Sequence, residues 1–193
     1  VSIIGIDGES IQTHKYGCSA DEDPGQILKN MTDDLVHIQS RRKSAGLPEL
    51  PLGIIQDGAP EMWNLVEPAV RKALPDTTYE KCIDRFHLME RLAEFLKALR
   101  DPMLHRETQL NDWREALEKD DKAIDRIERF ITRHRNRLRK IKRLNADNAE
   151  ILRSNLTYIK NNKKYMRYAS LRKKGIPTGS GATEGACKSL IMI

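Results

Sequence analysis

Residues 51–60 read PLGIIQDGAP. The apolar run is short, it ends at Asp57, and a Gly-Ala-Pro turn follows, a pattern that predicts a buried strand delivering a carboxylate into a loop. Outward from this strand the periodicity becomes helical on both sides. Upstream, DPGQILKNMTDDLVHIQSRRKSAG places Ile27, Leu28, Met31, Leu35 and Ile38 at helical spacing, with Gly46 as the stop. Downstream, EMWNLVEPAVRKAL is helical in pattern except for Pro68, which must start, kink or interrupt it.

The next segments extend the alternation. TTYEKCID predicts a further strand, running into RFHLMERLAEFLKALR, a strongly amphipathic helix. At the other end of the chain, VSIIGI, an Asp7-Gly8 turn and ESIQTHKYG predict a hairpin. From Asp101 to about Tyr168 every pattern is helical. Ile124, Ile127, Phe130, Ile131, Leu138, Ile141 and Leu144 form an apolar stripe, and Arg133, Arg135, Arg137, Arg139, Lys140, Lys142 and Arg143 crowd the rest of that helix. Gly175-Ile-Pro-Thr-Gly-Ser-Gly then approaches a helix starting near Ala182, with Glu184 in its first turn.

This order matches the later part of a ribonuclease-H-like fold. The expected class is α/β, with a mixed sheet lacking its first strand and an all-helical insertion before the last helix. The expected organisation is a core over 1–100, a basic helical insertion over 101–174, and a return to the core over 175–193.

Charge is as uneven as the pattern. The chain has 193 residues and a net charge of +6, yet Lys122 to Lys174 holds 18 basic and 4 acidic residues, which leaves the remainder net negative. Such asymmetry is the footprint of a nucleic-acid-binding element, and equally of a solvated helix face. The three cysteines, Cys18, Cys82 and Cys187, are scattered and form no CxxC pair, which suits a reducing compartment, the cytoplasm, and gives no zinc site. No apolar run approaches the roughly 18 residues of a membrane span. The chain opens VSIIGIDG, with no initiator Met, basic leader or cleavage site, and reads as a segment of something longer.

Asp57 at a strand end and Glu184 in a first helical turn are suitable donors for two-metal phosphoryl transfer, since Mg²⁺ takes carboxylate oxygens from rigid elements and keeps positions for water and phosphate. Each has a plainer reading: Asp before Gly as a turn residue, Glu in a first turn as a favourable charge on the helix dipole. The glycine loop is no nucleotide cradle. Both the Walker pattern and GxGxxG fail at Glu184, which stands where a glycine would be needed.

The segment MRYASLRKKGIPTGSGATEGACKSLI, Met166 to Ile191, resembles the C-terminal catalytic segment of one group of bacterial DDE-type insertion-sequence transposases, usually close to RMRYA…GLPIGSGVVEAACK. IIQDGAPEMWNLV, Ile54 to Val66, is similar to that family's ADGA…W stretch, and IDRFHLMERL, Ile83 to Leu92, to its DFxHAxEHL stretch. The resemblance implies that Asp57 and Glu184 are the second and third metal-binding acids, with Asp84 and His87 in support and Mg²⁺ or Mn²⁺ as cofactor. It further implies insertion-sequence ends and target DNA as partners, and two copies in the active complex. Thr178, Ala182 and Thr183 depart from the usual apolar residues while the Gly-Ser-Gly approach and the acid are kept.

The family's first acid belongs on a first strand. Asp7 fits better as the turn between the second and third strands, so that acid is expected upstream of Val1, and the chain by itself is expected to be inactive. Arg133, Arg135, Arg137, Arg139, Lys140, Lys142, Arg143, Lys163, Lys164 and Arg167 are the expected DNA contacts. Tyr158, Tyr165 and Tyr168, interleaved with lysines, suit either base stacking or packing; Trp63 is expected to pack its helix on the sheet, and Trp113 to lie in the core.

Overall fold

The computed structural model describes residues 2–7, 10–15, 24–100, 104–141 and 145–179, with 2–7 and 10–15 described through their backbone. Strands β1 (Ser2–Asp7) and β2 (Ser10–Lys15) form an antiparallel hairpin. Asp7, expected in the turn, pairs with Ser10 and so belongs to the ladder.

Helix α1 (Pro24–Ser44) ends where expected. Gly46 takes φ 68°, and the bonds Gly46 N–H to Lys43 O (3.1 Å) and Leu47 N–H to Arg42 O (2.9 Å) close a Schellman motif. Leu28 and Met31 bury its apolar face, and buried Gln39 holds the following loop by exchanging two hydrogen bonds with the Leu50 backbone. That clamp aligns the entry to β3 (Leu52–Gln56).

β3 pairs in parallel with β4 (Tyr79–Ile83), Leu52 opposite Tyr79 and Gln56 opposite Ile83, and α2 (Pro60–Ala73) connects them. Pro68 neither starts nor ends α2; the helix runs through it. Its ring forfeits the bond to the Asn64 carbonyl, and both residues lie on the exposed side, where water can serve that oxygen. Trp63 is buried beneath α2 and donates its indole N–H to Gln56 at the end of β3, in the amide orientation that also lets Gln56 donate to Ala59 O (3.1 Å).

Five helices follow: α3 (Arg85–Leu99), α4 (Arg106–Lys119), α5 (Ala123–Lys140), α6 (Ala146–Asn162) and, after a 3-10 turn at Lys163–Tyr165, α7 (Tyr168–Lys173). Leu88, Leu92, Phe95, Leu96 and Leu99 make α3 the central helix, and α4, α5 and α6 all pack on it. Ile124, Ile127 and Ile131 are buried as the stripe requires, but Ile141, expected to extend it, is 49% exposed because α5 has already ended.

The described fold is thus mostly helical α/β. Instead of one mixed sheet, the described residues hold two separate two-stranded ribbons, one antiparallel and one parallel. The helices over 104–174 share a continuous hydrophobic cluster with α2, α3 and β4. No helix of the described residues is long and apolar enough to cross a membrane.

Candidate functional site

The parallel register ends with Gln56 opposite Ile83, so the next residues, Asp57 and Asp84, emerge side by side at the C-terminal ends of β3 and β4. Asp84 N–H donates to Gln56 O at 2.7 Å and locks the two ends together. Asp57 is exposed; its Oδ1 accepts from Ala59 N–H (2.9 Å), an Asx turn, and its other oxygen has no partner among the described residues. Asp84 is 5% exposed and caps α3, its Oδ1 accepting from Phe86 N–H at 2.9 Å.

The glycine-rich segment comes to this same edge. Gly175 takes φ 73°, Ile176 packs onto β3 where Gly53 has no side chain, and Thr178 O accepts from Arg85 N–H at 2.9 Å. A Cβ on Gly179 would lie 3.6 Å from Asp84 Oδ1. Glu184 itself falls outside the described residues, as do Cys187, Lys142 and Arg143. Among the described residues no three His, Cys, Asp or Glu side chains gather as a metal-binding group.

A residue the motif reading treated only as an aromatic among lysines reaches the edge from far away in sequence. The Tyr158 hydroxyl on α6 donates to Asp57 O at 2.8 Å. Gly58, at φ 97°, leaves so little room that a Cβ there would meet the Tyr158 ring at 3.1 Å and Asn162 Nδ2 at 3.2 Å. The guanidinium of Arg91 lies 4.2 Å from the Tyr158 ring centroid, and His87 meets that ring edge-on with centroids 6.0 Å apart. Burial pushes the Tyr158 phenol well above its usual range, and the carboxylates of Asp57 and Asp84 act in the same direction. The His87 ring is engaged within α3: its Nε2 accepts from Arg91 Nε–H (3.2 Å), which puts the ring proton on Nδ1, facing Glu90 Oε2 at 3.6 Å. No local signal marked Tyr158 or Arg91; the first contact spans 101 residues of chain.

The basic residues sort into two sets. On α5, Arg133, Arg137, Arg139 and Lys140 are exposed, and Arg129, which the sequence reading passed over, continues the Arg133–Arg137–Lys140 row at the same spacing. None of these has a carboxylate within ion-pair distance among the described residues, and the same holds for exposed Lys164 and Arg167. Arg135 lies off this row, half-buried, its Nε unpartnered. Lys163 is a different case: Asp125 Oδ1 (3.0 Å) and Glu128 Oε2 (2.9 Å) both hold it, so it is largely neutralised rather than free for a polyanion.

The tyrosines divide too. Tyr168 is fully buried and belongs to the core, with its hydroxyl unpartnered. Tyr165 packs at a tilt against Trp63, ring centroids 5.4 Å apart, and Lys81 covers both rings. Trp113 is buried in the core between Phe95 and Phe130. Cys82 is wholly buried, its thiol pushed up to about 12 by that burial, which makes it inert as a nucleophile or ligand. In comparisons with known proteins, no family model, curated protein or solved structure matches this chain.

Proposed function

We propose that this chain is catalytic-core sequence of a DDE-type DNA transposase, with Asp57 and Glu184 as metal-binding acids and the exposed face of α5 as a grip on DNA. One observation carries the reading: the turn bearing Asp57 and the segment leading to Glu184 converge on one sheet edge, with Thr178 bonded to Arg85 and Gly179 beside Asp84. Glu184 follows Gly179 by five positions, a reach of at most about 18 Å, which is enough to return an acid to Asp57. In this reading the hairpin and the parallel pair are parts of one ribonuclease-H-like sheet.

The donor chemistry fits a hard divalent ion. Asp57 offers an exposed carboxylate with one oxygen uncommitted and no cation paired to it among the described residues. Bound there, Mg²⁺ or Mn²⁺ would activate the attacking oxygen and stabilise the leaving one. Asp84, buried and committed to the α3 cap, serves to fix the edge. Tyr158 holds the Asp57 turn through its carbonyl, so the carboxylate is presented from a backbone fastened on both sides. The row Arg129, Arg133, Arg137, Lys140 spans about 16 Å along α5, a length that tracks several phosphates of one DNA strand. Two copies acting on paired element ends, in the cytoplasm, complete the proposal.

The Asx turn at Asp57 favours one competing reading, a DNA-binding element without chemistry, because it gives that carboxylate an ordinary structural role. The complete gene product containing these residues separates the two when incubated with Mg²⁺ and element-end DNA. Nicked and strand-joined products are expected, falling by about 100-fold or more in Asp57→Asn and Glu184→Gln. Unaltered activity in either folded variant sinks the assignment; cleavage without joining would instead identify a nuclease, and salt-sensitive binding without any metal-dependent product the non-catalytic element.

A further inference from the structure

We propose that Arg91 binds a DNA phosphodiester at the carboxylate edge, held for that task by His87 and Tyr158; the proposal rests on the DNA-processing reading above. Arg91 is half-buried on α3, one turn beyond His87. Its Nε–H donates to His87 Nε2 at 3.2 Å, and its plane lies 4.2 Å from the Tyr158 ring centroid. These contacts use one N–H and one face of the guanidinium. The two terminal NH₂ groups have no partner among the described residues.

Three of the other half-buried cations are held by carboxylates, Lys81 by Glu67 at 2.7 Å, Arg85 by Glu118, and Lys163 by Asp125 and Glu128. Arg91, like Arg42 and Arg135, has no carboxylate within ion-pair distance among the described residues. Arg91 has acids near it in the fold, Glu90 and Glu94 on its own helix, yet among the described residues no carboxylate oxygen approaches within 4.0 Å, and Glu90 is turned to His87 instead. A planar cation whose orientation is set from behind and whose outer edge is free suits bidentate recognition of two oxygens on one phosphorus.

The place fits the same ligand. The ring that Arg91 rests on is the ring whose hydroxyl holds Asp57, so an anion on Arg91 sits about one phenol away from the turn that presents the acid. A cavity of about 440 Å³, lined by His87, Glu90, Arg91, Ala93 and Glu94, opens beside it. Because two glutamates share that lining, a singly charged diester meets less repulsion there than a doubly charged monoester.

The experiment is fluorescence anisotropy of a labelled duplex with the complete gene product in EDTA, over a series of salt concentrations. Arg91→Gln is expected to weaken the Kd by about tenfold and to lower the salt slope by about 1, with an unchanged melting temperature. Arg91→Lys should restore the slope while leaving the Kd several-fold weak, because the charge returns without the fork. Unchanged Kd and slope in folded Arg91→Gln overturn the proposal; should that variant not fold, wild-type affinity in Arg91→Lys overturns it. Asp57→Asn, run alongside, is expected to bind normally and fail to nick. If it nicks normally, the transposase reading falls and the Arg91 measurement still stands.

Discussion

Gly53 shows how one missing side chain sets the site. It is the second residue of β3, and a Cβ there would come within 2.5 Å of Ile176 Cγ2. Ile176 is 3% exposed and branched at Cβ, so its methyl cannot swing away. The contact is what seats the glycine-rich segment on the sheet and carries it to Asp84. Gly53→Ala is therefore expected to destabilise the fold by about 1–3 kcal/mol in urea unfolding. Ile176→Ala alone should cost about 2–5 kcal/mol, and the double variant about 1 kcal/mol less than the sum, because removing the methyl relieves the clash. Strict additivity would mean that the two residues do not meet. Asp57, by contrast, was legible from its place in the sequence, at the end of a short apolar run before glycine. What the sequence could not show was its fastening, since Tyr158 reaches it across 101 residues and tyrosine among lysines is an ordinary pattern.

Between elements, a polar link joins α2 to β4. Glu67 accepts from Lys81 (2.7 Å), Tyr79 (2.6 Å) and Arg71 (3.0 Å). The hydrogen bonds from Lys81, then Tyr79 and Arg71, hold its carboxyl down to about 2. A carboxylate lowered on folding adds stability above its ordinary range, and that stability is lost as pH falls from about 4.5 toward 2. Glu67→Gln is expected to cost about 1–2 kcal/mol at pH 7, with the gap to wild type narrowing steadily at acid pH. Urea titrations at pH 7 and near pH 2.5 check this, and an equal gap at both would remove Glu67 as the source. Several elements were readable because each has a local signal: Gly46 ends α1, and a short apolar run before Asp57 marks β3. The role of Pro68 stayed open in the sequence because the cost of proline in a helix depends on whether the freed carbonyl faces water, which no local pattern records. The end of the α5 stripe was missed for a related reason: Ile141 has the right spacing but no helix on which to express it.

At the scale of the molecule, the question is whether the basic helices form a separate body. The charge boundary near Lys122 suggests a boundary in the fold, but the packing does not respect it. α3 lies between the two regions, with α4, α5 and α6 against it, and the buried cluster runs from Ile54 and Trp63 through Leu88 and Phe95 to Trp113, Ile131 and Leu156. Charge asymmetry is a surface property and can change sign along a chain whose core is continuous. Cooperative unfolding follows from the core rather than the surface. The two tryptophans report on the two regions, Trp63 beneath α2 and Trp113 on α4. In Trp113→Phe the fluorescence follows Trp63, and in Trp63→Phe it follows Trp113. Within each variant, fluorescence and helical circular dichroism are expected to share one urea midpoint, even though the two variants differ from each other in stability. Separate midpoints by the two probes within one variant would show that the basic helices unfold by themselves. A single transition would mean that a ligand bound along α5 stabilises the Asp57 turn as well, because Tyr158 and Arg91 belong to the same cooperative unit.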